Sequence, residues 1–320
     1  MGEYWRKFIE NRHSSSKLSA STSGLFKEDP AILRENRLQE LKLKIEYLPT
    51  STPVFHMLSQ ICESDNASFM DFEEVFSCDP ALVCNLLRLV NTSYFSLPRK
   101  IVSIKDALRN LDPNTIKTLL LAARNNSFSD KQFSVFGYLK DGFFKHSITT
   151  AVLAKIIALK LDYTEHESDS FYVSGLLHDL GKIVLLHYIN DETPDFFQNQ
   201  TEIHFDTLEP EKEFLIFNHV EVGCLICNKI RLSDEQKAEI KFHHAPLDAG
   251  INRINASILH CADYLAKTLK IGMSEKSTEN LYIDEFALEL LGMEKSSLLE
   301  LAVNSIKTIE LKHRIFDRMK

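Results

Sequence analysis

Residues 175–182 read GLLHDLGK, which places an imidazole, a carboxylate and an ammonium inside an otherwise apolar run. Burying such groups without partners is costly, so either the segment is exposed or something compensates. A metal ion is one compensation. Other helical stretches carry similar groups. In FFKHSITTAVLAKIIAL, His146 shares a helical face with Thr149, Thr150, Leu153 and Ile157. In FLIFNHVEVGCLICNKI, His219 shares one with Leu215, Ile216, Gly223, Ile226 and Ile230. Asp263 lies among Ala256, Leu259 and Ala266, and His243 and His244 end EQKAEIKFHH. Taken singly, each is a hydrogen-bonded core residue or a cap. Taken together, five helices present His or Asp, the ligand types that suit Zn, Mn, Fe and Ni, and helix-borne ligands converging in a bundle build metal sites. Both readings stand at this point. Cys224-x-x-Cys227 sits mid-helix without a second such pair, and is read as two buried apolar residues.

The elements that must position these residues are helices. Asp79-Pro80 and Asp112-Pro113 each read as an N-cap followed by the first helical residue, and Ser103-x-x-Asp106 opens a third helix. Ser233-x-x-Gln236 reads as a capping box. No stretch alternates with period two long enough to argue a sheet. The fold class is all-α: an N-terminal bundle of short helices packed on a second helical domain. The expected division is a polar, flexible arm over 1–40 with a short helix near Tyr4–Ile9; a helical subdomain over 41–130; a helical domain over 131–272; and C-terminal helices over 273–320. A break falls at 125–138. Helices are predicted over 142–161, 168–188, 211–230, 234–244 and 252–270, with an acidic surface loop at 189–210 and a helical tail at 284–320.

Composition narrows the class. The chain has 320 residues, 44% hydrophobic and 26% charged, enough for a sizeable core. A net charge of −8 argues against a protein that binds nucleic acid over its whole surface. No apolar run approaches the roughly 18 residues of a membrane span. The N-terminal stretch lacks an apolar signal region, so the six cysteines are expected to be reduced thiols of a cytoplasmic protein.

The order His146, His178-Asp179, Asp263 on helices resembles the HD superfamily of metal-dependent phosphohydrolases. Within it, residues 45–270 most resemble the HDOD domain, an output domain of bacterial signalling proteins. LPTSTPV (48–54), DPALVCNLLRLVNTSYFSLPRKIVSIKDALRNLD (79–112), KHS (145–147), GLLHDLGKIVL (175–185), HVEVGCLI (219–226) and HH (243–244) carry the resemblance by their order and spacing. Two positions depart from the pattern: Asn91-Thr92 replaces Asn-Ser and Leu111-Asp112 replaces Leu-Gly. After its paired histidines the chain reads HHAPLDAG (243–250), without the Glu and Gly-Tyr-Pro of the phosphodiesterases that hydrolyse cyclic di-GMP. That reaction is therefore not expected.

The resemblance implies His146, His178, Asp179 and Asp263 as principal ligands of a divalent ion (Fe, Mn, Zn or Ni), and His219 and His243 as ligands of a second. It implies a non-enzymatic regulatory output or adaptor with a signalling protein as partner. The alternative is a metal-dependent phosphohydrolase acting on a nucleotide or phosphoester. In that case Asp179 and Lys182 serve catalysis, Lys182 by stabilising developing negative charge. His244 and His260 are read as supporting the ligands rather than joining them.

Overall fold

The computed structural model describes residues 30–320 except 46–47, 49, 65, 93–98, 124–129, 193–204, 206 and 280. The chain divides into two compact units, residues 1–39 and 40–320. The first is represented by the opening of helix α1 (Pro30–Lys44), where Gln39 donates to Glu35 at 2.7 Å. Helix α1 thus begins inside the stretch read as an arm, and the short helix expected near residues 4–9 lies outside the described residues.

In the second unit the described residues contain helices and one isolated bridge, Tyr138 with Met273. Short helices come first: α2 (Thr52–Glu63), α3 (Phe69–Phe76), α4 (Pro80–Val90), α5 (Ile104–Arg109) and α6 (Pro113–Ala123). Their starts follow the expected caps. Asp79 accepts from the Leu82 amide at 2.9 Å, Ser103 from Asp106 at 3.1 Å, and Asp112 from Thr115 at 3.1 Å. These side chains satisfy amides that the first helical turn leaves without partners.

Longer helices follow: α7 (Gly142–Lys160), α8 (Glu165–Leu177), α9 (Gly181–Glu192), α10 (Leu208–Leu215), α11 (His219–Lys229), α12 (Asp234–Phe242), α13 (Arg253–Thr268), α14 (Glu285–Leu290) and α15 (Lys295–Arg318). Most of α7 is buried on all sides, which makes it the central core helix. Among the described residues it is the one helix long and apolar enough to cross a membrane, and 78% of that stretch is buried inside the fold. At Gly175 an added Cβ would stand 2.6 Å from the Ala151 Cα, so α8 crosses α7 nearly backbone to backbone.

Two predicted helices are broken. The one read over 168–188 ends at Leu177, turns through His178–Leu180 and restarts at Gly181. The one read over 211–230 is interrupted at Ile216, a β-branched residue held at φ 72°, before Asn218 caps α11. The face assigned to His219 with Leu215 and Ile216 therefore does not exist as one helical face. Ser233 does cap α12, but Gln236 does not complete a box. Its Nε2 donates instead to the carbonyls of Val102 (3.1 Å) and Ser170 (3.3 Å). With Tyr172 donating to the Ser77 carbonyl at 2.9 Å, these bonds tie the short N-terminal helices to the later ones. The segment read as a break at 125–138 contains a 3₁₀ turn, Asp130–Phe136, that belongs to the core: Phe133 is buried and stacks on Phe143 at 4.3 Å.

Candidate metal centre

The breaks set the site. His178 and Asp179 lie in the turn between α8 and α9, where both side chains leave the backbone toward α7, α11 and α13. Gly181 secures that turn, since an added Cβ would collide with the carbonyl oxygen of His219. His219 is the first residue of α11, and His243 and His244 follow the end of α12. His146 comes from α7 and Asp263 from α13. All six residues read as ligands are brought together, and none is more than 4% exposed.

Three triads have one ligand atom each within 4.8 Å of one another: His146–His178–Asp263, His178–Asp179–His243 and His219–His243–His244. His146 Nε2 lies 3.1 Å from Asp263 Oδ1 and 3.3 Å from His178 Nε2. Asp179 spans the cluster. Its Oδ2 is 3.3 Å from His178 Nε2, and its Oδ1 is 3.1 Å from His219 Nε2. His244 Nε2 stands 3.2 Å from His219 Nε2, so His244 joins the cluster and does not merely support it.

The outer nitrogens fix the tautomers. A carbonyl only accepts, so His178 Nδ1–H donates to Gly175 (2.8 Å) and His243 Nδ1–H to Ile240 (2.7 Å). His219 Nδ1–H donates to the Glu211 carboxylate at 2.7 Å. Each of these Nε2 atoms thus turns inward as a potential donor atom for an ion. His243 Nε2 is buried without a hydrogen-bond partner. Buried polar atoms are normally satisfied, and imidazole with carboxylate is a donor set for divalent transition metals. The residues present therefore fit such an ion. His260 is different: Nδ1–H donates to the His243 carbonyl (2.7 Å) and Nε2 accepts from the Asp284 amide (3.0 Å), which leaves it a structural link.

Cations and a phenol surround the carboxylates. Lys182 Nζ lies 2.7 Å from Asp179 Oδ2, Tyr138 donates to the same oxygen at 2.5 Å, and Lys267 Nζ is 2.5 Å from Asp263 Oδ2. Burial acts to raise the Asp179 carboxyl, but His178, Lys182 and His219 hold it well below the usual carboxylate range. Burial likewise acts to raise Asp263, which Lys267 and His146 hold well below that range. Burial, reinforced by His178 and His219, pushes His243 well below the usual imidazole range. The cluster thus favours ionised carboxylates beside a neutral His243; burial acts to lower His178, but Asp179 and Asp263 raise it to about 9, so an ion held there would displace its proton.

A family model for the HDOD domain matches residues 48–246. The chain belongs to the HDOD domain family. One curated relative, an uncharacterized protein of Treponema pallidum (strain Nichols), is 24% identical over 215 residues, 63% of this chain and 38% of that protein. The chain spans well under half the length of that relative. The fold is also similar to the MmoQ response regulator of Methylococcus capsulatus str. Bath, with TM-score 0.61 and 16% identity over 80% of this chain and 98% of that one. A virulence factor of Campylobacter jejuni subsp. jejuni has TM-score 0.61 and 23% identity over 82% of this chain and 92% of that one. The all-α HDOD architecture expected from the sequence is thereby established.

Tyr138, Glu211 and Lys267 were not singled out in the sequence. Tyr138 falls in the segment read as a break. Glu211 sits beside a run of acidic residues, and Lys267 looks like any lysine four residues after an aspartate on a helix.

Proposed function

We propose that this HDOD protein is a regulatory output module of a signalling pathway, with a divalent ion bracing its core and not performing turnover. His146, His178, Asp179 and Asp263 would hold one ion. Asp179, His219, His243 and His244 would hold a second. The ion would supply cross-links among α7, the α8–α9 turn, α11 and α13. The observation that carries this reading is enclosure. Catalytic metal sites keep a position open to substrate, and structural ones are closed. Here the six predicted ligands are at most 4% exposed and Lys182 is 7% exposed. Lys182, Tyr138 and Lys267 occupy carboxylate oxygens from the outer side. The fold likeness to a protein described as a response regulator agrees with a signalling role. A protein partner, rather than a nucleic acid or a membrane, is the expected recipient of the output.

One observation favours a second reading, a metal-dependent phosphohydrolase acting on a nucleotide or phosphoester. Asp179 faces histidines with both oxygens, the arrangement a two-ion centre would use. The deciding experiment is elemental analysis of tag-free protein, wild type against H178A/D179A, followed by hydrolysis assays with bis-p-nitrophenyl phosphate and nucleotides. Bound metal that the double variant loses, without turnover, is expected. Turnover that D179N abolishes while its fold persists would establish the enzyme instead.

A further inference from the structure

A cavity lies away from the histidines, and none of the metal cluster lines it. It has a volume of about 340 Å³ and opens between α3 and α5 on one side and α7, α8 and α15 on the other. This is the lower end of the size range of small-molecule sites. Its floor is apolar: Ile104 from α5, Val152, Ile156 and Leu159 from α7, and the ring of Tyr172 from α8. Tyr172 spends its hydroxyl on the Ser77 carbonyl, so the ring contributes carbon surface.

Three lysines, Lys105, Lys155 and Lys312, and two carboxylates, Glu73 and Asp169, line the cavity, so what matters is which cation is left without a carboxylate. Lys155 is neutralised by Asp169 at 2.6 Å and by Glu165 at 3.0 Å. Lys312 has no carboxylate within ion-pairing distance among the described residues. Its ammonium donates to Ser77 Oγ at 3.1 Å and lies 5.9 Å from the Tyr172 ring centroid. Ser77 Oγ in turn donates to the Glu74 carbonyl at 2.7 Å, which leaves it an acceptor toward Lys312. An ammonium has three donors, so two remain. A half-buried cation lining a cavity together with apolar side chains has the chemistry to receive an anionic head whose tail lies against those side chains.

The geometry points to a binding site for a small amphipathic carboxylate, with its head on Lys312 and its apolar chain against Ile104, Val152, Ile156 and Leu159. Its occupant touches the early helices and the later ones at once. The site stands whether or not the histidine cluster holds metal.

Calorimetric titration of the full chain with octanoate, octylammonium and octanol tests it. Octanoate is expected to bind at one site, at least tenfold tighter than octylammonium or octanol. K312M is expected to lose tenfold or more in octanoate affinity while its thermal melt stays close to that of wild type. V152F fills the cavity and is expected to abolish octanoate binding; if it fails to fold, I156W on the half-buried wall takes its place. Absence of saturable octanoate binding overturns the proposal. So does equal binding of octanoate and octylammonium, or unchanged octanoate affinity in both K312M and the folded cavity-filling variant.

Discussion

Glu211 grips His219 at two points: its Oε2 accepts from the His219 amide at 2.6 Å, and its carboxylate accepts from the ring Nδ1–H at 2.7 Å. The carboxylate is itself fully buried. It fixes both the start of α11 and the orientation of the ring. Partners of this kind are worth roughly 10–100-fold in metal affinity. Glu211→Ala is therefore expected to weaken metal binding by about that factor, and Glu211→Gln by less, because one acceptor oxygen survives. Competition with a chromophoric chelator measures both. Wild-type affinity in the alanine variant would separate Glu211 from the site.

Gly181 is where α9 meets α11 with no room for a side chain. Gly181→Ala puts a methyl group against the His219 carbonyl, and neither backbone can yield without moving the HD turn. Overpacking of this kind costs about 1–3 kcal/mol. A lowered thermal midpoint together with weakened metal binding is expected. An unchanged midpoint would mean that α9 and α11 separate freely.

Asp79 gives stability a pH dependence. Its carboxyl is buried and accepts from the amides of Leu82 and Ser51 (both 2.9 Å), yet burial outweighs these bonds and pushes it up from 3.8 to about 6. The folded state then holds a proton that the unfolded chain has released. The group's contribution is fully present below pH 3.8 and is lost as pH rises through about 6. Asp79→Asn removes this titration. In urea unfolding, the stability of wild type relative to the variant should be greater at pH 4.5 than at pH 7.5. A pH-independent difference would contradict the assignment.

Tyr138 donates to Asp179 and accepts from Lys182 at 3.2 Å. Burial, with the charge of Asp179, pushes its phenol well above the usual range, so it remains a donor at every accessible pH. Tyr138→Phe removes a hydrogen bond to a charged group, worth roughly 1.5–3 kcal/mol, while Asp179 keeps Lys182. A loss of stability in that range by urea titration is expected, with metal stoichiometry retained. Loss of the metal instead would place the hydroxyl closer to the ion's own contacts.

The legible part of this site lay on uninterrupted elements. His146 and Asp263 belong to α7 and α13, which run unbroken: the periodicity of α13 fixes its inward face, and α7 is buried nearly all round, so His146 lies inside whichever way it points. The caps at Asp79, Ser103 and Asp112 were equally readable, because their side chains act within three residues. The breaks were not. Ile216 adopts a left-handed conformation that a glycine would have signalled and a β-branched residue does not. The HD turn is imposed by packing of Gly181 on a backbone far away in sequence. His244 reads from the sequence as a supporting residue; it follows His243 beyond the last residue of α12, and only the packing of α11 against that end brings its Nε2 to 3.2 Å from His219 Nε2.

The two site carboxylates each have a lysine close by in sequence, Asp179 with Lys182 at i+3 and Asp263 with Lys267 at i+4. His178 is adjacent to Asp179, but His146 and His219 reach the carboxylates across much longer separations. During folding the two kinds of contact mature on different schedules, because local pairs close without the loop entropy that distant ones must overcome. A lysine partner is thus within local reach of each aspartate before the distant histidines arrive. An ion that needs those distant histidines would find its site complete only once the helices that carry them have docked.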